Sequence, residues 1–196
     1  MNNISSLCVF CGSSEGNDVK VIKEAYLLGE KLAQQHIAVV YGAAKIGVMG
    51  KVAEGALAQK GKVIGIIPEF LKLKEVVHLG LTELIVTETM HERKMKMQEC
   101  SDGFITLPGG FGTLEELFEV ITWAQLGLHQ KPIGLLNING FYDPLLQMLE
   151  NMVKQGFLKT ENYKLLLVDD DIDQLLDKMK SFVPTEVPKW LKANRV

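Results

Sequence analysis

A chain of 196 residues, 47% of them hydrophobic, can bury a sizeable core and fits one domain better than two. Its net charge is −3, with no block of basic residues, so no long-range field favours nucleic acid or an anionic membrane, and a small-molecule ligand is expected. The start Met1-Asn2-Asn3-Ile4-Ser5-Ser6 lacks a basic then apolar leader, and no apolar run approaches the roughly 18 residues of a membrane span, so a cytoplasmic location is expected.

In chain order, the first strand is predicted from Leu7 to Phe10. Cys8 and Cys11 fall on this extended segment three residues apart and face opposite ways, so they read as small buried hydrophobes rather than a shared metal site. With three cysteines in all, reduced thiols are expected. The strand opens into Gly12-Ser13-Ser14-Glu15-Gly16, followed by a predicted helix from Asp18 to Gln35. A strand from Ile37 to Tyr41 leads into Gly42-Ala43-Ala44-Lys45-Ile46-Gly47 and a helix from Val48 to Gln59. A third strand, Val63 to Ile67, is followed by a long connection from Pro68 to Gly80, and a fourth spans Leu84 to Thr87.

The helix predicted from His91 to Cys100 places Arg93 in the middle of an apolar stripe with Met90, Met97 and Cys100. Two readings follow. Arg93 snorkels at the edge of the core, or it pairs with a carboxylate or phosphate, which its guanidinium fork suits.

A fifth strand, Phe104 to Leu107, runs into Pro108-Gly109-Gly110-Phe111-Gly112-Thr113 and a helix from Thr113 to Leu126. Three glycines at a strand-to-helix junction serve a tight turn, or let the unpaired N–H groups of the helix start approach an anion. The helix polarity suits phosphate, and the Thr113 hydroxyl adds a donor. The loop is neither a P-loop nor a dinucleotide fingerprint, since no Gly-Lys-Ser/Thr follows and Glu115 holds the third glycine position. Beyond it, Leu114, Leu117, Phe118, Ile121 and Gln125 form the expected core stripe. Glu116, Val120 and Trp123 form a second stripe, which predicts cover by a second subunit. Glu116 is then either a capping carboxylate in the first helical turn or a functional one.

The remaining elements are a strand from Ile133 to Leu136, a helix from Pro144 to Gln155, a strand from Leu165 to Val168, a helix from Ile172 to Phe182, and a tail from residue 184 to 196. Alternating strands and helices predict a Rossmann-like, doubly wound parallel α/β sheet, a single nucleotide-binding domain over residues 1–196. Ligands in such sheets sit outside the carboxyl ends of the strands, which makes Gly12, Ser13, Ser14, Gly42 and Gly47 further candidates for a nucleotide-facing loop. His91 and His129 have no partners at metal-ligand spacing, and no metal or cofactor is predicted.

Pro108-Gly109-Gly110-x-Gly112-Thr113-x-x-Glu116, with Met90-His91-x-Arg93-Lys94, resembles the "lonely guy" family of cytokinin riboside 5′-monophosphate phosphoribohydrolases, many of whose bacterial members were once labelled lysine decarboxylases. The resemblance extends to Cys8-Val9-Phe10-Cys11-Gly12-Ser13-Ser14 and to Ile121-Thr122-Trp123-Ala124-Gln125-Leu126-Gly127. It implies hydrolysis of the N-glycosidic bond of a nucleoside 5′-monophosphate, either N6-modified AMP or AMP itself, by a homodimer. Arg93 and Glu116 become the implied catalytic pair. Gly109, Gly110, Phe111, Gly112, Thr113, Leu114 and Glu115 become the implied substrate-binding run, with Glu75, Lys94 and Thr122 as further contacts. Related proteins of the same fold carry nucleotides or molybdenum cofactor without turnover, which is the alternative. The decarboxylase label fits poorly, because pyridoxal phosphate needs a Schiff-base lysine and a partner for its ring nitrogen. One departure from the family pattern is the loop Gly42-Ala43-Ala44 in place of consecutive glycines, whose two extra methyls are expected to narrow the pocket.

Overall fold

Seven short runs dominated by aliphatic residues pair side by side and in parallel. The computed structural model describes residues 3–72 and 77–184. Its elements are β1 (Ser6–Phe10), α1 (Val19–Gln34), β2 (Ala38–Tyr41), α2 (Gly47–Ala58), β3 (Val63–Pro68), α3 (Glu69–Lys72), β4 (Glu83–Thr87), α4 (Met90–Glu99), β5 (Gly103–Thr106), α5 (Phe111–Gln125), β6 (Ile133–Leu136), a 3₁₀ turn (Ile138–Gly140), α6 (Asp143–Lys154), α7 (Thr160–Tyr163), β7 (Leu166–Asp169) and α8 (Ile172–Ser181). The strand order is β4-β3-β2-β1-β5-β6-β7, and every pairing is parallel. The order reverses between β1 and β5, which opens the crevice where such sheets bind ligands.

The strands carry apolar residues on both faces because both are covered. On one face, α1, α2 and α8 pack Val21, Leu28, Leu32, Val48, Val52, Leu175 and Met179 against Leu7, Val9, Val39 and Ile105. On the other, α4, α5 and α6 pack Met97, Leu117, Val120, Ala124 and Leu149 against Cys8, Phe10, Phe104 and Leu135. Cys8 and Cys11 lie in these two different cores, as the strand alternation requires, and burial raises both thiol pKa values. Asp18 caps α1 by accepting the Lys20 N–H at 2.8 Å. No helix among the described residues is long and apolar enough to cross a membrane.

All seven expected strands and six expected helices are present, with ends displaced by one or two residues. Sequence periodicity missed α3, α7 and the 3₁₀ turn, each no longer than four residues and too short to show a helical repeat. Of the expected C-terminal tail, residues 185–196 lie outside the described residues.

The expected stripes of α5 are corrected. The face turned to the sheet is Thr113, Glu116, Leu117, Val120 and Ala124, so Glu116 and Val120 belong to the buried side. Phe118, Thr122, Gln125 and Leu126 face outward, with Leu114 and Ile121 half-buried between the two sides. Thr113 and Ala124 are small enough to seat α5 closely on the sheet. Their low hydrophobicity hid that track from a count of apolar positions.

Candidate active site

The loops after β1 and β5 meet at the crevice, where the Gly12 N–H donates to the Pro108 carbonyl at 3.2 Å. From there the chain enters α5 with Gly110 as N-cap, which supplies no capping side chain. The first backbone bond of the helix runs from the Leu114 N–H to the Gly110 carbonyl. The N–H groups of Phe111, Gly112 and Thr113 therefore lack acceptors among the described residues, and they open on a cleft of about 380 Å³. The N-terminus of α2 differs, because its Val48 and Met49 N–H groups already donate to the Ser14 and Gly12 carbonyls.

None of Gly109, Gly110 and Gly112 has a positive φ, so the turn itself demands no glycine there. Gly109 is required by packing, since a Cβ would collide with the Thr113 side chain and press on Gly12. At Gly110 and Gly112 a Cβ would meet nothing of the protein. Their lack of side chains leaves backbone donors and free space together, which is what close approach of an anion needs.

Arg93 comes to this cleft from α4. Thr89 caps that helix by accepting the Glu92 N–H at 3.1 Å, and the Glu92 carboxylate reaches back to the Glu88 N–H at 2.9 Å. The cap fixes the first turn, and Arg93 points from it into the protein, 7% exposed. Its Nε donates to the Ile66 carbonyl at 3.1 Å and its Nη1 to Glu116 Oε1 at 3.3 Å. Gly42 lies against the rest of the guanidinium, where a Cβ would overlap Nη2. The arginine is thus held by a backbone acceptor, a carboxylate and a missing side chain.

Glu116 is 8% exposed. Burial raises its carboxyl pKa from 4.5 to about 7 against the opposing pull of Arg93, and neighbouring Glu115 and Glu119 add to the rise while Lys94 counters it. A single hydrogen bond from Arg93 does not offset the lost hydration. The carboxyl is poised to titrate near neutral pH.

Lys94, next to Arg93 on α4, reaches across to α5 and donates to Glu115 at 2.6 Å and Glu119 at 2.8 Å. Burial pulls its pKa down, but the two carboxylates outweigh that and leave it raised. Together Arg93 and Lys94 fasten α4 to α5 by three ion pairs.

Of the residues singled out in the sequence, Gly12, Ser13, Ser14, Arg93, Gly110, Phe111, Gly112, Thr113, Glu115 and Glu116 all line this cleft. Gly109 faces an adjoining one. Leu114 packs on the core beneath α5. Gly42 lies behind Arg93, and Gly47, at φ 68°, packs under the Ser13 carbonyl, so both shape the site from behind. Thr122 is exposed, and its hydroxyl donates to the Phe118 carbonyl at 2.7 Å. Glu75 lies outside the described residues.

The expected narrowing by Ala43 and Ala44 does not occur at this cleft. Both are fully buried, and the Ala43 methyl sits against Gly65 of β3. Ala43 holds a left-handed backbone, φ 65°, and its carbonyl accepts the His78 N–H at 3.0 Å. The apolar wall of the cleft comes instead from Met49, Leu71 and Met90. Sequence reading assigned that wall no role, although all three lie in or beside segments leaving the carboxyl ends of strands.

A family model described as "Possible lysine decarboxylase" matches residues 49–179. Cytokinin riboside 5′-monophosphate phosphoribohydrolase LOG2 of Arabidopsis thaliana is 42% identical over 178 residues, 91% of this chain and 84% of that protein. The phosphoribohydrolase LOG of Oryza sativa subsp. japonica is 43% identical over 91% of this chain and 74% of its own length. Among solved structures, the molybdenum cofactor binding protein of Rippkaea orientalis superposes with a TM-score of 0.68 at 25% identity, covering 90% of this chain and 95% of that one. The Moco carrier protein of Chlamydomonas reinhardtii gives 0.65 at 19% identity over 88% and 98%, a likeness of fold. With a family model matching residues 49–179 and relatives above 40% identity over nine-tenths of its length, the chain belongs to the LOG family of cytokinin riboside 5′-monophosphate phosphoribohydrolases.

Proposed function

We propose that this single-domain protein hydrolyses the N-glycosidic bond of nucleoside 5′-monophosphates, releasing free base and ribose 5-phosphate. The observation that carries the reading is the buried Arg93–Glu116 pair beside the uncapped start of α5. The N–H groups of Phe111, Gly112 and Thr113 hold the phosphate. That remote anchor supplies binding energy that positions the reacting bond. Cleavage of the C1′–N bond builds positive charge on the ribose, which the Glu116 carboxylate stabilises or captures directly. Water supplies hydroxyl to C1′ and the proton that ends on the released base. Arg93 holds Glu116 in place, and the wall of Met49, Leu71 and Met90 accommodates an apolar substituent on the base of a cytokinin riboside 5′-monophosphate, the substrate for which the plant relatives are named. A pure cofactor carrier needs the phosphate site but no buried carboxylate next to it.

Incubation with AMP and with N6-isopentenyl-AMP, followed by chromatography, should release free base from at least one of them. No release from either would remove the hydrolase reading for these substrates. Gly42→Ala is expected to push the guanidinium out of its seat and lower kcat about 100-fold, the scale of a roughly 1 Å misplacement. Ribose 5-phosphate affinity should be unchanged.

A homodimer in the cytoplasm belongs to the same proposal. Thr122 lies eleven residues beyond Phe111 on α5, roughly 16 Å along the helix at 1.5 Å per residue, so its substrate contact reaches the cleft of a second copy. Phe118 and Leu126 are exposed beside it, and Phe111 is 93% exposed at the cleft mouth, which supplies apolar surface for that copy. The thiols of Cys8 and Cys11, unpaired and buried, suit a reducing compartment. Phe118→Glu should shift the protein to a monomer by light scattering and reduce turnover with it. A variant that stays dimeric would exclude this face as the interface.

A further inference from the structure

A second cleft, of about 220 Å³, lies on the opposite side of the phosphate loop. Gly110 faces the candidate active site and Gly109 the second cleft, while Ser14 borders both. Its floor is Val21, Val48 and Pro108, all buried. Phe141 overhangs this floor, half-exposed.

The loop that presents Phe141 is built with care. Asn139 and Gly140 are both left-handed, at φ 52° and 69°. The Asn139 amide donates to Asp18 at 2.7 Å, tying the loop to the start of α1. The Tyr142 hydroxyl donates to the Leu107 carbonyl at 2.7 Å, tying it to the phosphate loop. Tyr142 also meets the Phe141 ring edge-on at 4.9 Å. Two long-range tethers fix an aromatic face over an apolar floor, and Asn139 and Gly140 are residue types that accept the left-handed turn which presents it.

The chemistry of the lining restricts the occupant. Among the described lining residues there is no lysine, arginine or histidine, whereas Ser14, Glu15, Asn17 and Asp18 supply its polar groups, two of them carboxylates. An anion is therefore unfavourable, and a neutral or weakly basic ring with N–H donors is matched. The volume is below the roughly 300–1,000 Å³ of sites for drug-sized ligands, so it suits one bicyclic ring and not a nucleotide. We propose that this cleft is a second, non-catalytic site for a free purine base, stacked on Phe141. The proposal rests on the hydrolase reading only for the identity of the base, which that reaction would release on the other side of the Gly109-Gly110 wall.

The test titrates adenine calorimetrically into the Glu116→Gln protein already saturated with AMP, so that the candidate active site is filled. One adenine per chain is expected to bind. Phe141→Ala, which removes the stacking face, and Asn17→Trp, which fills the cleft, should each weaken it about tenfold, the scale of one base–aromatic stack. AMP affinity should be unchanged in both. Absence of adenine binding, or equal affinity in all three proteins, overturns the proposal. So does a change of oligomeric state in Phe141→Ala without adenine binding, which would make Phe141 a protein contact. If AMP itself fails to bind, the hydrolase reading fails separately, and the dependence of adenine binding on Phe141 and Asn17 is read from the AMP-free titration.

Discussion

Glu116→Gln is expected to lower kcat for nucleotide hydrolysis about 10³-fold while leaving AMP affinity within about threefold. The amide matches the carboxylate in size and still offers an oxygen to Arg93, so the pair's geometry survives. What disappears is the negative charge facing the ribose. Nucleotide affinity should persist because the proposed phosphate anchor, the N–H groups of residues 111–113, is not touched by the substitution. Single-turnover rates and equilibrium binding, measured on the same preparation, separate the two effects. Undiminished turnover would remove Glu116 from the mechanism.

The second large effect is in pH. A carboxylate that stabilises a cationic ribose works ionised, so kcat/KM should rise with pH through a limb at about 7, the value to which burial raises Glu116. Well below that limb, activity should fall about tenfold per pH unit. Stability should move the other way. The folded-state value lies above the ordinary 4.5, so the folded protein binds this proton more tightly than the unfolded chain does. The stabilisation is fully present below about 4.5 and is lost as pH rises through 7. At about 1.4 kcal/mol per pKa unit, the group contributes about 3 kcal/mol to that loss. Urea unfolding of the wild type and Glu116→Gln across this range isolates the contribution, because the variant lacks it. Parallel stability profiles for the two proteins would contradict the buried environment of Glu116.

The strands and long helices were legible because both faces of the sheet are buried, and short aliphatic runs separated by amphipathic segments have few other solutions. The glycine turn into α5 was legible for a local reason: glycines, a threonine and a helix start are adjacent in sequence. Arg93 read as a snorkelling side chain or one paired with an anion, and Glu116 as a capping carboxylate or a functional one. That the two belong together came only from the family resemblance, not from the residues themselves. They are 23 residues apart, and they meet because α4 follows an edge strand while α5 follows a central one. The Ile66 carbonyl carries no side-chain signal at all. Nor did the sequence reveal that Ala43 would turn its methyl toward Gly65, since that depends on a left-handed backbone angle and on the neighbour in β3. On α5 the expected core stripe held at Leu117 and partly at Leu114 and Ile121, but Phe118 and Gln125 turned out exposed while Glu116 and Val120 of the other stripe are buried, because the buried face also takes in Thr113 and Ala124.

The reversal of strand order between β1 and β5 has a consequence for how the protein folds. Leu7 pairs with Gly103, so the two neighbouring strands whose ends carry the loops at the crevice are separated in sequence by β2, β3 and β4. Such distant pairings close slowly, and the two loops stand side by side only once β1 and β5 have paired. A nucleotide held between them would therefore bind only chains in which that long-range pairing has formed. Bound nucleotide would stabilise the folded chain in proportion to the logarithm of its concentration over Kd, and protection from proteolysis by AMP would report that long-range pairing rather than local order.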